Sequence, residues 1–387
     1  MRIPIKAVLC AALILSFGIG VFAEPSKQVD TDISTRLVQA ESGILMEASS
    51  GEVLYEWNPD KPLKIASVTK TMTMLLIMEA LDSGKIQLSD TVTTSENAAS
   101  MGGSQVFLEA GEQMSVEDML KAIVVSSGND AAVAMAEHIC GTHEAFVEKM
   151  NARATQLGCA NTHFINCNGL DETDDHYSTA RDVAMITREL LTHPKILDYT
   201  TIWMDTIRGG AFGLSNTNKL IRFYQGANGM KTGSTDAAKY CLSATAERGG
   251  MQLIAVVLAA PTTGERFDSA KALLDFGFAN YEVADHHSMQ LMLEEIPVRC
   301  GVEQTVTPQA DGISFVVKKG NRDKVEYRTE LPQSMAAPIA EGETLGEIVF
   351  SIDGDEIGRK PILAKTSVNR INPFQMYLRM MKKWMAL

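Results

Sequence analysis

Residues 65–81 read IASVTKTMTMLLIMEAL, and this stretch decides how the rest of the chain is organised. After Lys70 the run contains no Gly or Pro and is apolar nearly all round, which is typical of a helix that is buried on every side. Ser67 and Lys70 are three residues apart, so on a helix they share one face. The sequence therefore predicts a hydroxyl beside an amine at the start of a buried helix.

The predicted pairing of Ser67 with Lys70 has a chemical use. A serine hydroxyl is a weak nucleophile until a neighbouring base takes its proton. Lysine can be that base when burial lowers its pKa, because a low dielectric disfavours the charged ammonium. The alternative is structural, with Ser67 as a helix cap and Lys70 as a surface charge. The S-x-x-K motif alone does not distinguish the catalytic interpretation from the structural one. Other segments of the chain are needed for that.

Residues 1–23 have the features of a secretory signal peptide. Arg2 and Lys6 form a basic start, residues 7–20 are apolar, and small residues precede a cleavage point that would leave Glu24 as the first residue. An uncleaved anchor is the alternative, but the apolar run is short for a membrane span. The sequence therefore predicts an exported protein.

The net charge and the spacing of the cysteines indicate which partners and metal sites are not expected. The net charge of −13 argues against a nucleic-acid partner, whose phosphates would be repelled. The cysteines outside the predicted signal have irregular spacing and no C-x-x-C pair, which does not indicate a zinc site. We expect no metal and no cofactor. One disulfide among Cys140, Cys159 and Cys167 remains open, and the alternative is that these cysteines, with Cys241 and Cys300, are all free thiols.

The segment predicted as the main domain, residues 24–287, mixes helices and strands. Residues 42–55 form a hairpin pattern, and residues 253–258 are continuously apolar, as in a central strand of a sheet. We predict helices at 116–140, broken by a polar turn at 126–130, and at 178–191 and 266–281, with strands at 239–246 and 251–258. The fold class is therefore α/β (α+β).

Two further segments follow. Residues 288–366 contain short alternating strands separated by turns, which predicts an all-β accessory domain, a small sandwich. Residues 367–387 predict an amphipathic helix that is too short and too charged to span a bilayer. A helix docked on the protein itself is the alternative to an anionic membrane surface. Its apolar face would carry Phe374, Tyr377, Leu378, Met381, Trp384 and Met385, and its basic face Arg379, Lys382 and Lys383.

Three short motifs stand in order along the chain: S-x-x-K at 67–70, S-G-N at 127–129 and K-T-G at 231–233. Each is weak alone, but together they match the set that marks serine penicillin-binding proteins and class A β-lactamases. The chain resembles the low-molecular-weight penicillin-binding proteins of the serine-type D-alanyl-D-alanine carboxypeptidase family over nearly its whole length. The resemblance implies a β-lactamase/transpeptidase-like catalytic domain. Residues 166–182 resemble the loop that edges that family's active site.

The resemblance implies a catalytic mechanism. Ser67 would attack the carbonyl between two D-alanines with Lys70 as general base, and Ser127 would relay a proton to the leaving amine. The backbone N–H groups of Ser67 and Ser234 would form the oxyanion hole. Lys231 would add positive field near Ser127, and Arg266 would meet the terminal carboxylate. The implied substrate-binding residues are Asn129, Lys231, Thr232, Gly233, Ser234 and Arg266.

The resemblance also implies the partners and the location. The substrate would be the pentapeptide stem of peptidoglycan, and β-lactams would acylate Ser67 in its place. The protein would lie at the outer face of the cytoplasmic membrane, anchored peripherally by the C-terminal helix. Ser234 stands where some relatives carry His, which bears on rate and not on the class of reaction.

Two rival functions share these motifs. A β-lactamase would keep a Glu-x-x-x-Asn loop to activate the deacylating water, and residues 172–176 do not provide one. Such an enzyme would also lack the β-rich domain and the terminal helix. The second rival is a non-catalytic murein-binding protein, which the presence of every motif residue disfavours. Endopeptidase action on cross-links remains open for the same site.

Overall fold

The computed structural model describes residues 36–170, 173–285, 293–310 and 314–385. The predicted signal peptide at 1–23, the mature start at Glu24 and the domain boundary at 287/288 lie outside the described residues. The cysteines of the described part are all free thiols, and three of them are buried: Cys159, Cys167 and Cys241. Of the two alternatives left open for the cysteines, the structure has the free thiols.

A five-stranded antiparallel sheet forms the centre of the first domain, with strand order β2-β1-β9-β8-β7. The strands of this domain are β1 (Ser42–Glu47), β2 (Val53–Trp57), β3 (Thr91–Thr93), β4 (Gln113–Ser115), β5 (Met204–Ile207), β6 (Phe212–Ser215), β7 (Ala227–Thr235), β8 (Lys239–Arg248) and β9 (Met251–Ala260). β9 lies in the middle of the sheet, so the prediction from its continuous apolar run is confirmed. β7 is an edge strand of that sheet.

Helices cover both faces of the central sheet. They are α1 (Lys70–Asp82), α2 (Glu96–Ala99), α3 (Val116–Val125), α4 (Asn129–Cys140), α5 (His143–Gln156), α6 (Ala180–Leu191), α7 (Leu197–Thr200), α8 (Leu220–Phe223) and α9 (Thr263–Asn280). α1 lies within the larger apolar core on one face, and α9 packs in a second core on the other. The predicted mixed α/β fold class is therefore confirmed.

The helix predicted from residues 65–81 begins later than its apolar pattern indicates. Residues Ala66–Thr69 form a 3₁₀ turn, and the α-helix starts at Lys70. Its side chains from Lys70 to Met78 are all buried, as the absence of a polar face predicted. Ser67 therefore lies on a tight turn that leads into α1, one turn of chain before Lys70.

The sequence analysis assigned no element to residues 204–235 before the K-T-G motif or within it. The structure forms the hairpin β5–β6 and the edge strand β7 in this range. Gly and Asn in β7 are poor strand formers, so propensity does not reveal it. Pairing with β8 decides its conformation.

The second part of the chain is rich in β-strands, namely β10 (Tyr281–Asp285), β11 (Ile296–Arg299), β12 (Thr305–Val306), β13 (Pro308–Gln309), β14 (Ser314–Lys318), β15 (Val325–Glu330), β16 (Met335–Ala336), β17 (Thr344–Ile352) and β18 (Asp355–Ala364). A three-stranded sheet, β12-β11-β16, and a four-stranded sheet, β13-β18-β17-β15, share one apolar core. This is the predicted small sandwich.

The chain ends in helix α10 (Pro373–Met385). Its apolar side chains face solvent, with Phe374 70 % and Trp384 75 % exposed. Arg379 donates hydrogen bonds to the carbonyls of Gly301 (3.0 Å) and Val302 (2.5 Å) in the β-rich domain. The helix thus contacts the protein through a basic residue and leaves its apolar face uncovered. Within the described ranges, no helix combines the length and the apolar composition that crossing a bilayer requires.

Candidate active site

The side chains of Ser67 and Lys70 meet at the start of α1. Ala66 has a φ of +46°, a left-handed conformation that bends the chain into the 3₁₀ turn. The ammonium group of Lys70 donates a hydrogen bond to Ser67 Oγ at 2.9 Å. The spacing of three residues therefore brings the hydroxyl and the amine together as predicted, although Ser67 precedes the α-helix.

Two further oxygens surround Lys70 Nζ. It donates to Asn129 Oδ1 at 2.6 Å and to the backbone carbonyl of Asn168 at 2.9 Å. With Ser67 Oγ these acceptors occupy all three donor positions of an ammonium group. The side chain of Lys70 is fully buried, so these oxygens provide the polar environment that its charged form needs.

Burial lowers the pKa of Lys70 to about 7. Desolvation is the main cause, and the nearby Cys167 and Asp130 act in the opposite direction. An amine with such a pKa is neutral in a large fraction of molecules near neutral pH. Lys70 can therefore accept a proton, which a surface lysine near its ordinary pKa cannot do at this pH.

The S-G-N motif lies in the turn between α3 and α4. Ser127 has a φ of +62°, and its buried Oγ has no hydrogen-bond partner among the residues that the structure describes. Asn129 is the first residue of α4, and its side-chain amide also donates to the carbonyl of Gly102 at 2.7 Å. Asn129 is thereby fixed from two sides, with its oxygen on Lys70.

The K-T-G motif lies on β7, directly beside the Ser67 turn. A Cβ atom built at Gly233 would stand 2.6 Å from the carbonyl oxygen of Ile65 and 2.9 Å from the backbone nitrogen of Ser67. Only glycine allows the strand to pass this close. The hydroxyl of Thr232 donates to Thr217 Oγ1 at 2.7 Å. Ser234 follows Gly233 on the same strand.

Lys231 is buried on the same strand, and its Nζ donates to the carbonyl of Thr232 at 2.9 Å. Burial lowers its pKa well below the usual value, and the positive charges of Lys70 and Arg266 lower it further. The structure thus brings the two lysines close enough to repel each other. Within the described part of the chain, no direct hydrogen bond joins Lys231 to Ser127.

Arg266 lies on α9 beneath β7 and is 6 % exposed. One guanidinium nitrogen donates to the carbonyls of Gly233 (3.3 Å) and Cys241 (3.4 Å), while Nε has no partner among the described residues. Burial lowers its pKa, and no carboxylate in the described ranges pairs with it. Arg266 is therefore a buried cation without a counter-ion in the described part of the protein.

The loop at 166–170 contributes more to the site than its resemblance alone indicated. The carbonyl of Asn168 binds Lys70, and Thr73 donates to the carbonyl of Cys167 at 2.5 Å. A Cβ at Gly169, whose φ is +79°, would lie 1.9 Å from the carbonyl oxygen of Ala66. The loop thus packs against the Ser67 turn. Residues 171 and 172, which the resemblance also places in this loop, lie outside the described residues.

Two residues of the site were missed by the sequence analysis. Thr217 anchors Thr232, and its backbone N–H donates to the carbonyl of Val125 at the end of α3. Asp130 is 1 % exposed and accepts hydrogen bonds from the backbone N–H groups of Val106 and Leu108. Asp130 directly follows the S-G-N motif and lies in the predicted polar turn at 126–130, so its position was a signal from which it could have been found. No pattern in the sequence marks Thr217.

Comparisons with known proteins assign both domains of the chain to known families. Residues 28–262 match the peptidase S11 family model, described as D-alanyl-D-alanine carboxypeptidase. Residues 292–370 match the model of the C-terminal domain of penicillin-binding protein 5. The two matches fall on the α/β domain and on the β-rich domain.

Individual relatives match over most of the chain. D-alanyl-D-alanine carboxypeptidase DacF of Bacillus subtilis (strain 168) is 41 % identical over 99 % of both chains. The crystal structure of penicillin-binding protein 5 from Haemophilus influenzae is 35 % identical, with a TM-score of 0.79 over 86 % of this chain and 98 % of that one. Penicillin-binding protein D2 from Listeria monocytogenes in its ampicillin-bound form is 34 % identical, with a TM-score of 0.57 over 62 % of this chain and 98 % of that one. The chain belongs to the D-alanyl-D-alanine carboxypeptidase family, peptidase S11, and is a serine-type carboxypeptidase of the penicillin-binding protein 5 type.

Proposed function

We propose that the protein removes the terminal D-alanine from peptidoglycan pentapeptides through an acyl-enzyme on Ser67, with Lys70 as the general base. The observation that carries this proposal is the hydrogen bond of 2.9 Å between Nζ of the fully buried Lys70 and Ser67 Oγ. Ser67 Oγ attacks the carbonyl between the two D-alanines, and the bond to the last D-alanine breaks. Water then hydrolyses the ester and regenerates the serine.

The contacts of Lys70 also suit its neutral form, which is the base. A neutral amine has two N–H donors and one lone pair. Asn129 Oδ1 and the carbonyl of Asn168 can only accept, so they take the two N–H groups. The lone pair is then left for the hydroxyl proton of Ser67, the one partner that can donate. The two amide oxygens thus orient the base.

The oxyanion hole is proposed to consist of the backbone N–H groups of Ser67 and Ser234. The close approach of Gly233 to the nitrogen of Ser67 supports this assignment, because it brings the edge strand and the 3₁₀ turn together. Such donors stabilise the negative oxygen of the tetrahedral intermediate, each by roughly 10²–10³-fold in rate. The role of Gly233 is therefore to let β7 and the Ser67 turn lie this close, because glycine has no side chain.

Ser127 is proposed to carry the proton from Lys70 to the departing amine of D-alanine. Its buried hydroxyl without a partner supports this role, because a buried orphan hydroxyl is costly unless a ligand or the reaction uses it. Asn129 fixes the base and binds the amide of the substrate. Lys231, buried on β7, is proposed to add positive field near Ser127, which favours the departure of the hydroxyl proton.

The terminal carboxylate of the substrate is proposed to meet Thr232 and Arg266. Thr232 donates to Thr217, which fixes its hydroxyl at the exposed edge of β7. Arg266 supplies a guanidinium charge that no described carboxylate neutralises, which suits binding an anionic chain end. A peptide that lacks this carboxylate would then be a poor substrate, and this requirement favours carboxypeptidase action over endopeptidase action on cross-links.

β-Lactams are proposed to acylate Ser67 as well. The Listeria monocytogenes relative is in an ampicillin-bound form by its description, and the ring amide of a β-lactam offers a carbonyl to the same hydroxyl. The departing nitrogen stays attached to the acyl group after ring opening. It therefore blocks the path of the hydrolytic water, and the ester persists.

The experiment measures both reactions of Ser67. After exposure to benzylpenicillin, the mass of the protein should rise by that of one penicillin, and the modified peptide should contain Ser67. Wild type should release D-alanine from a pentapeptide, and Ser67→Ala should release none. Equal release by both proteins would refute the assignment of Ser67. Rapid turnover of penicillin would instead support the rival β-lactamase.

Residues 367–387 are proposed to bind an anionic membrane surface from outside the cell. The exposed apolar side chains of α10 support this, because nothing in the described protein covers them. Arg379 holds the helix on the β-rich domain without burying that face. With residues 1–23 as signal, 24–287 as catalytic domain and 288–366 as accessory domain, the enzyme would be peripherally anchored in the cell-wall space.

A further inference from the structure

The wall of the active site next to Asn129 carries an aromatic side chain that the proposed function does not use. Phe107 is 69 % exposed, and its φ is +56°. Bulky residues rarely adopt this left-handed conformation, and they keep it only where the surrounding structure imposes it. The ring is exposed although its left-handed backbone costs conformational energy, which indicates a binding role for it.

Hydrogen bonds fix the backbone of Phe107 on both sides. The buried carboxylate of Asp130 accepts from the N–H groups of Val106 and Leu108, each at 3.0 Å. The guanidinium group of Arg208 donates to the carbonyls of Val106 (2.8 Å) and Phe107 (3.1 Å). The ring therefore projects from a rigid loop.

The same loop is attached to the catalytic centre. The backbone N–H of Asn129 donates to the carbonyl of Ser104 at 2.7 Å, and its side-chain amide donates to Gly102. Asn129 also binds Lys70. Two adjacent residues, Asn129 and Asp130, thus fix the loop at both ends, so Phe107 has a defined position relative to the base.

A second aromatic side chain lies beside Phe107. Its ring lies edge-to-face on Phe212 of β6, with centroids 6.3 Å apart. Arg208 covers the other ring at 5.3 Å, and its charge is paired with Glu112 at 2.6 Å. The surface offered to a ligand is therefore aromatic and largely neutral, which suits aliphatic groups.

We propose that Phe107 and Phe212 form a subsite for the aliphatic side chain of the residue that precedes the two terminal D-alanines. This inference rests on the proposed function. A substrate whose reacting carbonyl lies at Ser67 and whose amide contacts Asn129 continues along the wall that Gly102 and Ser104 form. The residue before the D-alanine pair is the first whose side chain extends beyond that wall, and its methylene groups pack on the rings.

The test compares two soluble substrates that share the scissile bond. One is Nα,Nε-diacetyl-L-lysyl-D-alanyl-D-alanine, whose third residue from the end has a methylene chain. The other is N-acetyl-glycyl-D-alanyl-D-alanine, which has no side chain there. Wild type should show the higher kcat/KM on the lysyl substrate. Asparagine tolerates the left-handed backbone at this position. In Phe107→Asn, kcat/KM on the lysyl substrate alone should fall roughly tenfold, mainly through a higher KM. Phe107→Tyr, which keeps the ring, should restore the value.

Phe223 provides a matched control, since it is 66 % exposed and forms a separate aromatic pair with Trp203. Phe223→Ala should leave the preference for the lysyl substrate unchanged. Three results would overturn the proposal: no loss with Phe107→Asn, an equal loss on both substrates, or the same selective loss with Phe223→Ala. Absence of D-alanine release from either substrate by wild type would refute the proposed function instead, so the two failures are distinguishable.

Discussion

Helices α1 and α10 have the same length of 13 residues and opposite surroundings. Both are rich in Met, and both carry lysine. In α1 every side chain from Lys70 to Met78 is buried, whereas most described side chains of α10 are exposed. The difference shows that the environment of a lysine, and not the type of helix that carries it, decides its chemistry.

The buried amine of Lys70 can accept a proton near neutral pH, whereas Arg379 of α10 only donates to backbone carbonyls. Burial lowers the pKa of Lys70 to about 7, and three oxygens orient its amine. Arg379 on α10 instead donates to backbone carbonyls of the β-rich domain. Four predictions test how far this contrast extends, in order of the size of the expected effect.

The largest effect is expected from Lys70→Arg. Arginine stays protonated at any ordinary pH, so it keeps the charge and cannot accept the proton of Ser67. Acylation by benzylpenicillin should slow by roughly 10²–10⁴-fold, the usual range for loss of a general base. The second-order rate of acylation measures this. Lys382→Arg on α10 is the control and should match wild type. A rate for Lys70→Arg within tenfold of wild type would contradict the role of Lys70 as base.

A second contrast concerns stability. Leu76 in α1 is 0 % exposed and Leu378 in α10 is 45 % exposed. Leu76→Ala should lower the free energy of unfolding by about 2–5 kcal/mol, because it leaves a cavity in the core. Leu378→Ala should change it by no more than about 0.5 kcal/mol. Urea denaturation followed by circular dichroism gives both values, and similar losses for the two variants would remove the contrast.

The pH dependence of acylation should follow Lys70. The reactive form is the neutral amine, and burial places its pKa at about 7. The rate should therefore fall about tenfold for each pH unit below that value and level off above it. Stopped-flow acylation between pH 5 and 9, run at constant ionic strength, tests this. A rate that does not change across the neutral range would show that Lys70 does not titrate there.

The smallest effect on activity is expected from removal of residues 369–387. The helix contacts the β-rich domain through Arg379 and not the catalytic domain, so D-alanine release from a soluble peptide should be unchanged. Binding to vesicles that contain phosphatidylglycerol should be lost, since the apolar side chains and the basic residues leave together. Sedimentation with such vesicles measures it. Continued sedimentation of the shortened protein would exclude α10 as the anchor.

Much of the fold followed from local patterns. The continuous apolar run of 253–258 predicted the central strand, and the run without a polar face after Lys70 predicted the buried helix α1. These signals are reliable because a central strand and a fully buried helix are each apolar along their whole length. Ser67 and Lys70 were predicted to meet, and a direct hydrogen bond joins their side chains.

Other parts of the site depend on contacts that no local pattern records. Thr217 was not predicted, because its bond to Thr232 joins two segments that propensity left unassigned. The carbonyl of Asn168 is a backbone group, which every residue carries, so its role on Lys70 cannot be recognised from the residue type. The left-handed turn at Phe107 is likewise imposed by Asp130 and Arg208.

By itself, the sequence determined which groups are available: a serine three residues before a lysine, a helix without a polar face, and a basic amphipathic end. Tertiary structure alone decided what those groups can do. The pKa of Lys70 depends on water being excluded by packing from distant segments, and the orientation of its amine depends on two oxygens brought from α4 and from the loop at 166–170. Desolvation and orientation are properties of the assembled core, because no short segment can exclude water from its own side chains.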